Sequence, residues 1–418
     1  MPDDAEPHGR RPASVHVTGG AGPTDCCIIG GGVIGLSIAR ELAGRGRSVR
    51  VLARDEPQAT SSWAAAGIFP PAPAWATAPA NARLTAWSDR LHRQWSVDLR
   101  DETGIDNELQ ECGGLHLARS TEAIERLRGM RADWLSRGAR CEWLDGAGVS
   151  SLEPALADAV TRGEVVAGFL LPEEQRIRPP RHLAALERSC RARGVEITRG
   201  DAVEAIETSG GRARGVRLDG SGGGGTVRAG CYVLAAGAWS GPLGRALGLR
   251  VETRPIRGQI VLLTLARQTL GRVVNRGLEY LVPRPDGRLL VGSTLEDAGF
   301  TATATADVVG HLRGFAEEML GTLSVARVER VWAGLRPGSL DGLPTIGPVP
   351  GLDNVFVAAG HFRAGLHQST GTAVMIADLV EGRRPELDAT PFAADRCVTP
   401  PGPDSVAAML ARAASERP

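Results

Sequence analysis

The chain has 418 residues and contains no lysine, so all 48 of its basic residues are arginines. This absence excludes a phosphate-binding loop that depends on lysine, and it excludes any lysine Schiff base. The arginines instead supply guanidinium forks that suit planar carboxylates. Because 48 acidic residues balance them, the formal net charge is zero and no basic surplus favours nucleic acid or an anionic membrane.

Other features are also missing. No apolar run reaches 18 residues, and residues 1–24 are polar and lack the apolar segment of an export signal, which predicts a soluble cytoplasmic protein with no membrane partner. The seven cysteines are scattered without a C-x-x-C pair, and the eight histidines form no H-x-x-x-H pattern. The sequence therefore predicts neither a disulfide framework nor a metal site.

The feature that organises the chain is a glycine motif between an apolar run and a helical pattern. Cys26–Ile29 reads as a buried strand, and Gly30, Gly32 and Gly35 have the G-x-G-x-x-G spacing of a dinucleotide fingerprint. The first glycine allows a tight turn, the second admits a pyrophosphate and the third packs helix on strand. A lone motif of this kind is weak in a chain with 54 glycines, but a second strand at Val49–Leu52 supports it.

One part of the fingerprint is absent. An acidic residue is expected at the end of the second strand, where it would bind ribose hydroxyls, but this sequence has Ala53-Arg54-Asp55 there. Two interpretations stay open: Asp55 reaches back to the ribose, or the ribose is bound less tightly.

The fold class is predicted from two further buried strands that end at glycine, Tyr232–Gly237 and Asn354–Gly360. Together with the first, they imply one parallel, Rossmann-like sheet built from separated parts of the chain, hence an α/β protein. The strand-rich block 251–331 indicates a second domain over the carboxyl edge of that sheet. The small-residue run 59–70 favours close backbone approach to a ligand, with an alanine-rich helix start as the alternative.

These motifs in this order resemble the FAD-dependent amine oxidoreductases of the D-amino-acid-oxidase type. The resemblance covers about residues 25–396 and implies an FAD-binding domain at 25–110, 174–248 and 331–396. It also implies a discontinuous, mostly antiparallel-sheet substrate domain at 111–173 and 249–330. Residues 1–24 are predicted to be a disordered extension and 397–418 a C-terminal tail.

The resemblance implies FAD as the cofactor and assigns residues along its length. The predicted cofactor-binding residues are Gly30, Gly32, Val33, Ile34, Gly35, Ala53, Arg54, Ser61, Ser62, Ala66, Gly67, Ile68, Val203, Gly237, His361, Phe362, Arg363, Ala364, Gly365, Leu366 and His367. The loop from His361 to His367 is expected to pass under the flavin with a helix N-terminus aimed at its carbonyl edge, which would stabilise the anionic reduced form. Here that loop is more polar than is usual in the family, which would alter the flavin potential or the electron acceptor.

Three residues are predicted to bind the substrate. Arg336 matches the family's carboxylate-binding arginine, Tyr280 lines the same pocket, and Arg363 matches a second arginine. A solvated surface arginine and an ordinary half-buried sheet tyrosine are the alternatives. We expect His361 and His367 to pack or hydrogen bond rather than to act as bases.

The implied reaction is oxidation of glycine or a similarly small amino acid by hydride transfer to flavin N5, with dioxygen as the acceptor and hydrogen peroxide as a product. A place in thiamine biosynthesis is implied as well. Two alternatives stay open: an oxidase or dehydrogenase of sarcosine or D-amino acids that uses another acceptor, and a non-catalytic flavin-binding subunit. Strand edges in the second domain would permit a homo-oligomer.

Overall fold

A computed structural model describes residues 24–54, 60–246, 253–265, 268–321, 326–397 and 405–415. Except for Thr24, the predicted extension 1–24 lies outside the described residues. Asp55, one of the two candidates for the ribose contact, also lies outside them.

The described residues form twenty strands and ten α-helices. The strands are β1 (Thr24–Ile29), β2 (Val49–Ala53), β3 (Ile68–Phe69), β4 (Gln110–Glu111), β5 (Gly114–Ala118), β6 (Glu142–Asp145), β7 (Ala167–Leu171), β8 (Gln175–Arg176), β9 (Glu196–Arg199), β10 (Val203–Ser209), β11 (Arg212–Leu218), β12 (Gly225–Val227), β13 (Ala229–Leu234), β14 (Arg254–Thr264), β15 (Val273–Arg276), β16 (Glu279–Pro283), β17 (Arg288–Gly292), β18 (Arg327–Gly338), β19 (Thr345–Pro348) and β20 (Val355–Ala359). The helices are α1 (Val33–Gly44), α2 (Ala80–Thr103), α3 (Thr121–Ser136), α4 (Gly146–Leu152), α5 (Ala157–Thr161), α6 (Pro179–Ala192), α7 (Ser240–Ala246), α8 (Ala306–Leu320), α9 (Ser369–Val380) and α10 (Val406–Ser415).

The first large sheet has the order β19-β20-β13-β1-β2-β9, and all its pairs are parallel except β19 with β20. The three predicted strands that end at glycine lie side by side in it. Alternate residues of β1 face opposite layers: Cys26 and Ile28 pack toward α1, α6 and α9, whereas Cys27 and Ile29 pack toward the small sheet β10-β11-β12. Because both faces are buried, the strand reads as an unbroken apolar run.

The second large sheet has the order β18-β14-β17-β16-β15-β5-β7-β6 and is antiparallel except between β15 and β5. Helices α4, α5 and α8 cover one face, where Leu115, Phe315 and Leu281 share a core. The predicted α/β fold with a mostly antiparallel second sheet is therefore confirmed. Within the described ranges, no helix combines the length and apolar character needed to cross a bilayer.

A continuous strand crosses one predicted domain boundary, and a helix lies in the predicted C-terminal tail. Strand β18 begins at Arg327 and pairs with β14 as far as Gly338, so the predicted division between 330 and 331 falls inside one strand of the second sheet. The predicted tail 397–418 includes helix α10, whose Val406 is only 2% exposed. The remaining domain boundaries stay predictions.

Candidate functional site

A cavity of about 1200 Å³ lies between the carboxyl ends of β1, β2, β13 and β20 and one face of the eight-stranded sheet. Ligands of open α/β sheets bind at this edge. The fold brings together there the predicted site residues Gly30, Gly32, Val33, Ile34, Ala53, Arg54, Ser61, Ser62, Ala66, Gly67, Ile68, Val203, Gly237, Tyr280, Arg336, His361, Phe362, Arg363, Ala364, Gly365, Leu366 and His367. Gly35 is the predicted residue that does not line the cavity.

The fingerprint glycines allow contacts that a side chain would prevent. Gly30 has a φ of +126°, and a Cβ atom there would overlap the carbonyl oxygen of Ala235. A Cβ atom on Gly35 would overlap the carbonyl oxygen of Gly30, so Gly35 packs helix α1 on its strand. The Ser62 hydroxyl accepts a hydrogen bond from the amide of Val33 (3.0 Å) at the start of α1. The positive end of this helix therefore borders the cavity, which fits the pyrophosphate of FAD.

The tip of β2 presents an arginine to the cavity. Ala53 is buried, and a Cβ atom on Gly31 would lie only 2.6 Å from the Ala53 Cβ atom. The guanidinium carbon of Arg54 lies 3.9 Å from the ring centroid of Trp239. The sequence did not reveal this stacking, because Trp239 comes from the turn after β13.

Residues 60–70 of the small-residue run form turns and the short strand β3 instead of a helix start, and most of them line the cavity. Arg284, which is 3% exposed, donates hydrogen bonds to the carbonyl oxygens of Ala66 (2.8 Å) and Ile177 (2.9 Å). The amide of Ile177 donates to the carbonyl oxygen of Gly67 (2.7 Å). Burial lowers the pKa of Arg284 to about 10, so it remains a cation at neutral pH and holds the run in place.

Arg336 and Tyr280 meet on the eight-stranded sheet. The Arg336 guanidinium donates to the carbonyl oxygen of Thr294 (3.1 Å) and to the hydroxyl of Ser293 (2.8 Å), and it lies close enough to Tyr280 to interact with it electrostatically. Tyr280 is 7% exposed. A Cβ atom on Gly258 would overlap both terminal nitrogens of the guanidinium, so the glycine leaves the space that Arg336 fills. A guanidinium has five N–H donors, which leaves donors for a ligand.

A second cation lies close to the first. Burial is the largest cause that lowers the pKa of Arg336, and the positive charge of Arg363 lowers it further. Arg363 is exposed and lines the cavity. An anion bound near both guanidinium groups would relieve this unfavourable electrostatics, and a carboxylate matches their geometry.

The loop that precedes α9 is fixed by its histidines. His361 Nε2 lies 3.0 Å from the Thr372 hydroxyl, and burial lowers the pKa of His361 to about 3, so this ring is neutral. His367 Nε2 lies 3.0 Å from Oδ1 of Asp89. Phe362, which follows His361 in this loop, adopts a positive φ of 47°. Each histidine therefore makes a side-chain hydrogen bond, one of the two structural roles that were expected for it.

Sequence analysis missed a polar cluster in the same cavity. Glu174, which is 1% exposed, accepts hydrogen bonds from His116 Nε2 (3.2 Å) and Asn275 Nδ2 (3.0 Å), and all three residues line the cavity. His116 pairs with Asn275 and Asn275 with Tyr280 across β5, β15 and β16, so the cluster continues the row of Tyr280. No local pattern indicates it, because the row forms only when the strands pair. Among the described residues, no group of three or more His, Cys, Asp or Glu side chains is placed to hold a metal ion.

The chain is similar to proteins of known activity. Glycine oxidase of Pseudomonas aeruginosa is 36% identical over 370 residues, which cover 88% of this chain and 97% of the relative. The HcnC subunit of hydrogen cyanide synthase from the same species is 30% identical over 424 residues, covering 92% of this chain and 99% of the subunit. A crystal structure of glycine oxidase from Geobacillus kaustophilus matches with a TM-score of 0.81 at 30% identity, over 90% of this chain and 99% of the other.

A family described as FAD dependent oxidoreductase, abbreviated DAO, matches residues 25–379. This match spans both large sheets and the cavity between them, and it confirms the resemblance inferred from the motifs. The glycines at the start of α1 fit the pyrophosphate of FAD, as described above. The chain belongs to the DAO family of FAD-dependent oxidoreductases, and FAD is its cofactor.

Proposed function

We propose that this enzyme oxidises glycine or a similarly small amino acid to an imine, which water hydrolyses to a 2-oxo acid and ammonia. The observation that carries the proposal is the half-buried Arg336 near Tyr280 and Arg363, an arrangement suited to a carboxylate, in the same cavity as the fingerprint. The similarity to glycine oxidases supports an amine substrate. A role in thiamine biosynthesis is part of the proposal, and it is supported by the 33% identity to the bifunctional protein ThiO/ThiG of Nostoc.

When bound, FAD would supply the redox chemistry, which is acceptance of a hydride from the substrate's α-carbon and transfer of two electrons to dioxygen to give hydrogen peroxide. The chain's own residues orient the substrate. Arg336 and Tyr280 bind the carboxylate and thereby fix the α-carbon. The positive charges of Arg336 and Arg363 also lower the pKa of a nearby ammonium group, which favours the neutral amine that the oxidation requires.

The test is an anaerobic absorbance titration of the purified holoenzyme with glycine, sarcosine and D-alanine, followed by admission of air. Bleaching of the flavin by glycine and one equivalent of hydrogen peroxide on reoxidation would support the proposal. Bleaching by sarcosine or D-alanine alone, or reoxidation without peroxide, would replace the proposed substrate or acceptor. A flavoprotein that none of these amines bleaches would overturn the proposal.

Arg336→Ala should lower kcat/KM for glycine by about 100-fold or more, since it removes a charge-assisted carboxylate contact worth several kcal/mol. The matched control is Arg327→Ala, an exposed arginine on the same strand. The control should keep wild-type kinetics, and both variants should retain FAD. Equal kinetics for the Arg336→Ala variant and the wild type would contradict the assignment of the carboxylate site.

A further inference from the structure

Helix α10 lies outside residues 25–379, the part of the chain that matches the family, yet it packs against the cavity. Its first residue, Val406, is 2% exposed and forms one buried apolar cluster with Ile256, Leu295 and Phe362. Ile256 is the residue of β14 that pairs with Arg336, and Phe362 precedes Arg363. Val406 therefore packs against the residue that pairs with Arg336 and against the residue that precedes Arg363.

The start of the helix is fixed by local contacts. A Cβ atom on Gly338 would overlap a methyl group of Val406. The absence of a side chain at this position, two residues after Arg336, therefore allows the helix to pack there. Ser405 is fully buried, and its hydroxyl accepts a hydrogen bond from the amide of Ala408 (3.1 Å). Such a cap stabilises a helix N-terminus by about 1 kcal/mol. Gly338 gives the helix room to pack and Ser405 caps its N-terminus. These two residues therefore specify the position of the helix beside the cavity.

One side chain of the helix reaches the cavity itself. Met409 follows Val406 by three residues, so it lies on the same helix face. It lines the cavity and is partly buried against the same apolar cluster, together with Leu278. Leu278 precedes Tyr280 by two residues, which places Met409 at the substrate end rather than at the fingerprint end. A thioether side chain fills such a space well because it is long and flexible.

We propose that α10 is a wall of the substrate pocket and that Met409 limits the size of the substrate side chain. This inference rests on the proposed function, because it takes the group next to Met409 to be the side chain of an amino acid held at Arg336. The wall lies outside the part of the chain that the family model matches. It restricts the enzyme to small substrates by filling space that the two sheets leave open.

The decisive experiment compares Met409→Ala and Met409→Trp with a control, Ala407→Ser, on the exposed face of the same helix. The readout is kcat/KM for glycine and for D-valine. Met409→Ala should raise the ratio of D-valine to glycine at least 10-fold, Met409→Trp should lower it, and the control should stay within twofold of wild type. A ratio within twofold of wild type in both Met409 variants would overturn the proposal.

A binding measurement separates this inference from the proposed function. Aliphatic and aromatic carboxylates perturb the absorbance of a flavin beside which they bind, so acetate and benzoate can be titrated without turnover. Met409→Ala should raise the affinity for benzoate relative to that for acetate at least 10-fold, even if none of the amino acids tested is oxidised. Val406→Asp places a charge at a buried position and should displace the helix, with a change in the same direction. If both variants retain FAD and the ratio of their affinities for benzoate and acetate is unchanged, α10 is not a wall of the substrate pocket.

Discussion

The absence of a side chain at Gly258 leaves the space in which the guanidinium group of Arg336 lies. We expect Gly258→Ala to raise KM for glycine more than 10-fold with a smaller change in kcat, because the added methyl group would overlap the guanidinium nitrogens and displace them from the carboxylate. Alanine is compatible with the backbone of β14, so the strand and the FAD content should persist. Steady-state kinetics and the flavin absorbance of the purified variant check both parts.

The control for that prediction is Gly310→Ala in helix α8. No atom lies within 4 Å of a Cβ atom built there, and alanine in a helix is more stable than glycine by about 1 kcal/mol. This variant should therefore keep wild-type kinetics and melt at the same or a higher temperature. If Gly258→Ala behaves like the control, the glycine does not position Arg336.

The sequence indicates which residues belong to the site more readily than it indicates which side chains surround them. The family resemblance singled out Arg336 among 48 arginines, and the structure places it with four other arginines in the lining of the cavity. The space left by Gly258 is on β14, and the acceptors on Ser293 and Thr294 follow the end of β17. Only the pairing of β14 with β17 and with β18 brings them to Arg336. The Glu174 cluster was missed for the same reason.

At the scale of elements, one buried arginine connects the end of β16 to the small-residue run that lines the cavity. Arg284, at the end of β16, holds the cavity-lining run through the carbonyl oxygens of Ala66 and Ile177. Arg284→Met should weaken FAD binding about 10-fold and lower the melting temperature by several degrees. The physical reason is that two buried carbonyl groups lose their donor, at a cost of about 1–3 kcal/mol each. A titration of the apoprotein with FAD and a thermal melt measure the two effects.

Arg288→Gln is the matched control, because Arg288 belongs to the next strand but pairs with Glu329 at the surface. Exposed ion pairs contribute about 0–1 kcal/mol, so this variant should bind FAD as the wild type does. Wild-type FAD affinity in Arg284→Met would show that the run is held by its own turns and not by the arginine.

Local signals predicted whole elements closely. The predicted strands Cys26–Ile29 and Val49–Leu52 lie within β1 (Thr24–Ile29) and β2 (Val49–Ala53), because a short apolar run marks a strand that is buried on both faces. Strand β18 contains Pro337 and crosses the predicted domain division between residues 330 and 331. It continues to Gly338 because β18 lies at the edge of its sheet, where a proline that cannot donate to a neighbour is tolerated. The role of α10 had no local signal, since its partners are distant in sequence.

The molecule as a whole contains several buried histidines that stay uncharged. Burial lowers the pKa of His92 well below its usual value of 6.5, that of His182 to about 4 and that of His361 to about 3. In the unfolded chain the same rings take up protons near pH 6.5. The unfolded state therefore binds more protons than the folded state between about pH 6.5 and pH 4, and folding loses stability as the pH falls through that window.

We expect the melting temperature to fall as the pH is lowered from 7 to 5, with an upper limit of about 1.4 kcal/mol per pH unit for each histidine. His182→Gln should flatten this dependence, because the ring no longer titrates in the unfolded state while the amide oxygen of glutamine can still accept the hydrogen bond from Asn107. His311→Gln, at a half-exposed position, is the control and should leave most of the dependence in place. Thermal melts of the three holoenzymes at pH 7, 6 and 5 give the comparison, and an identical slope for His182→Gln and the wild type would show that this buried ring does not contribute to acid sensitivity.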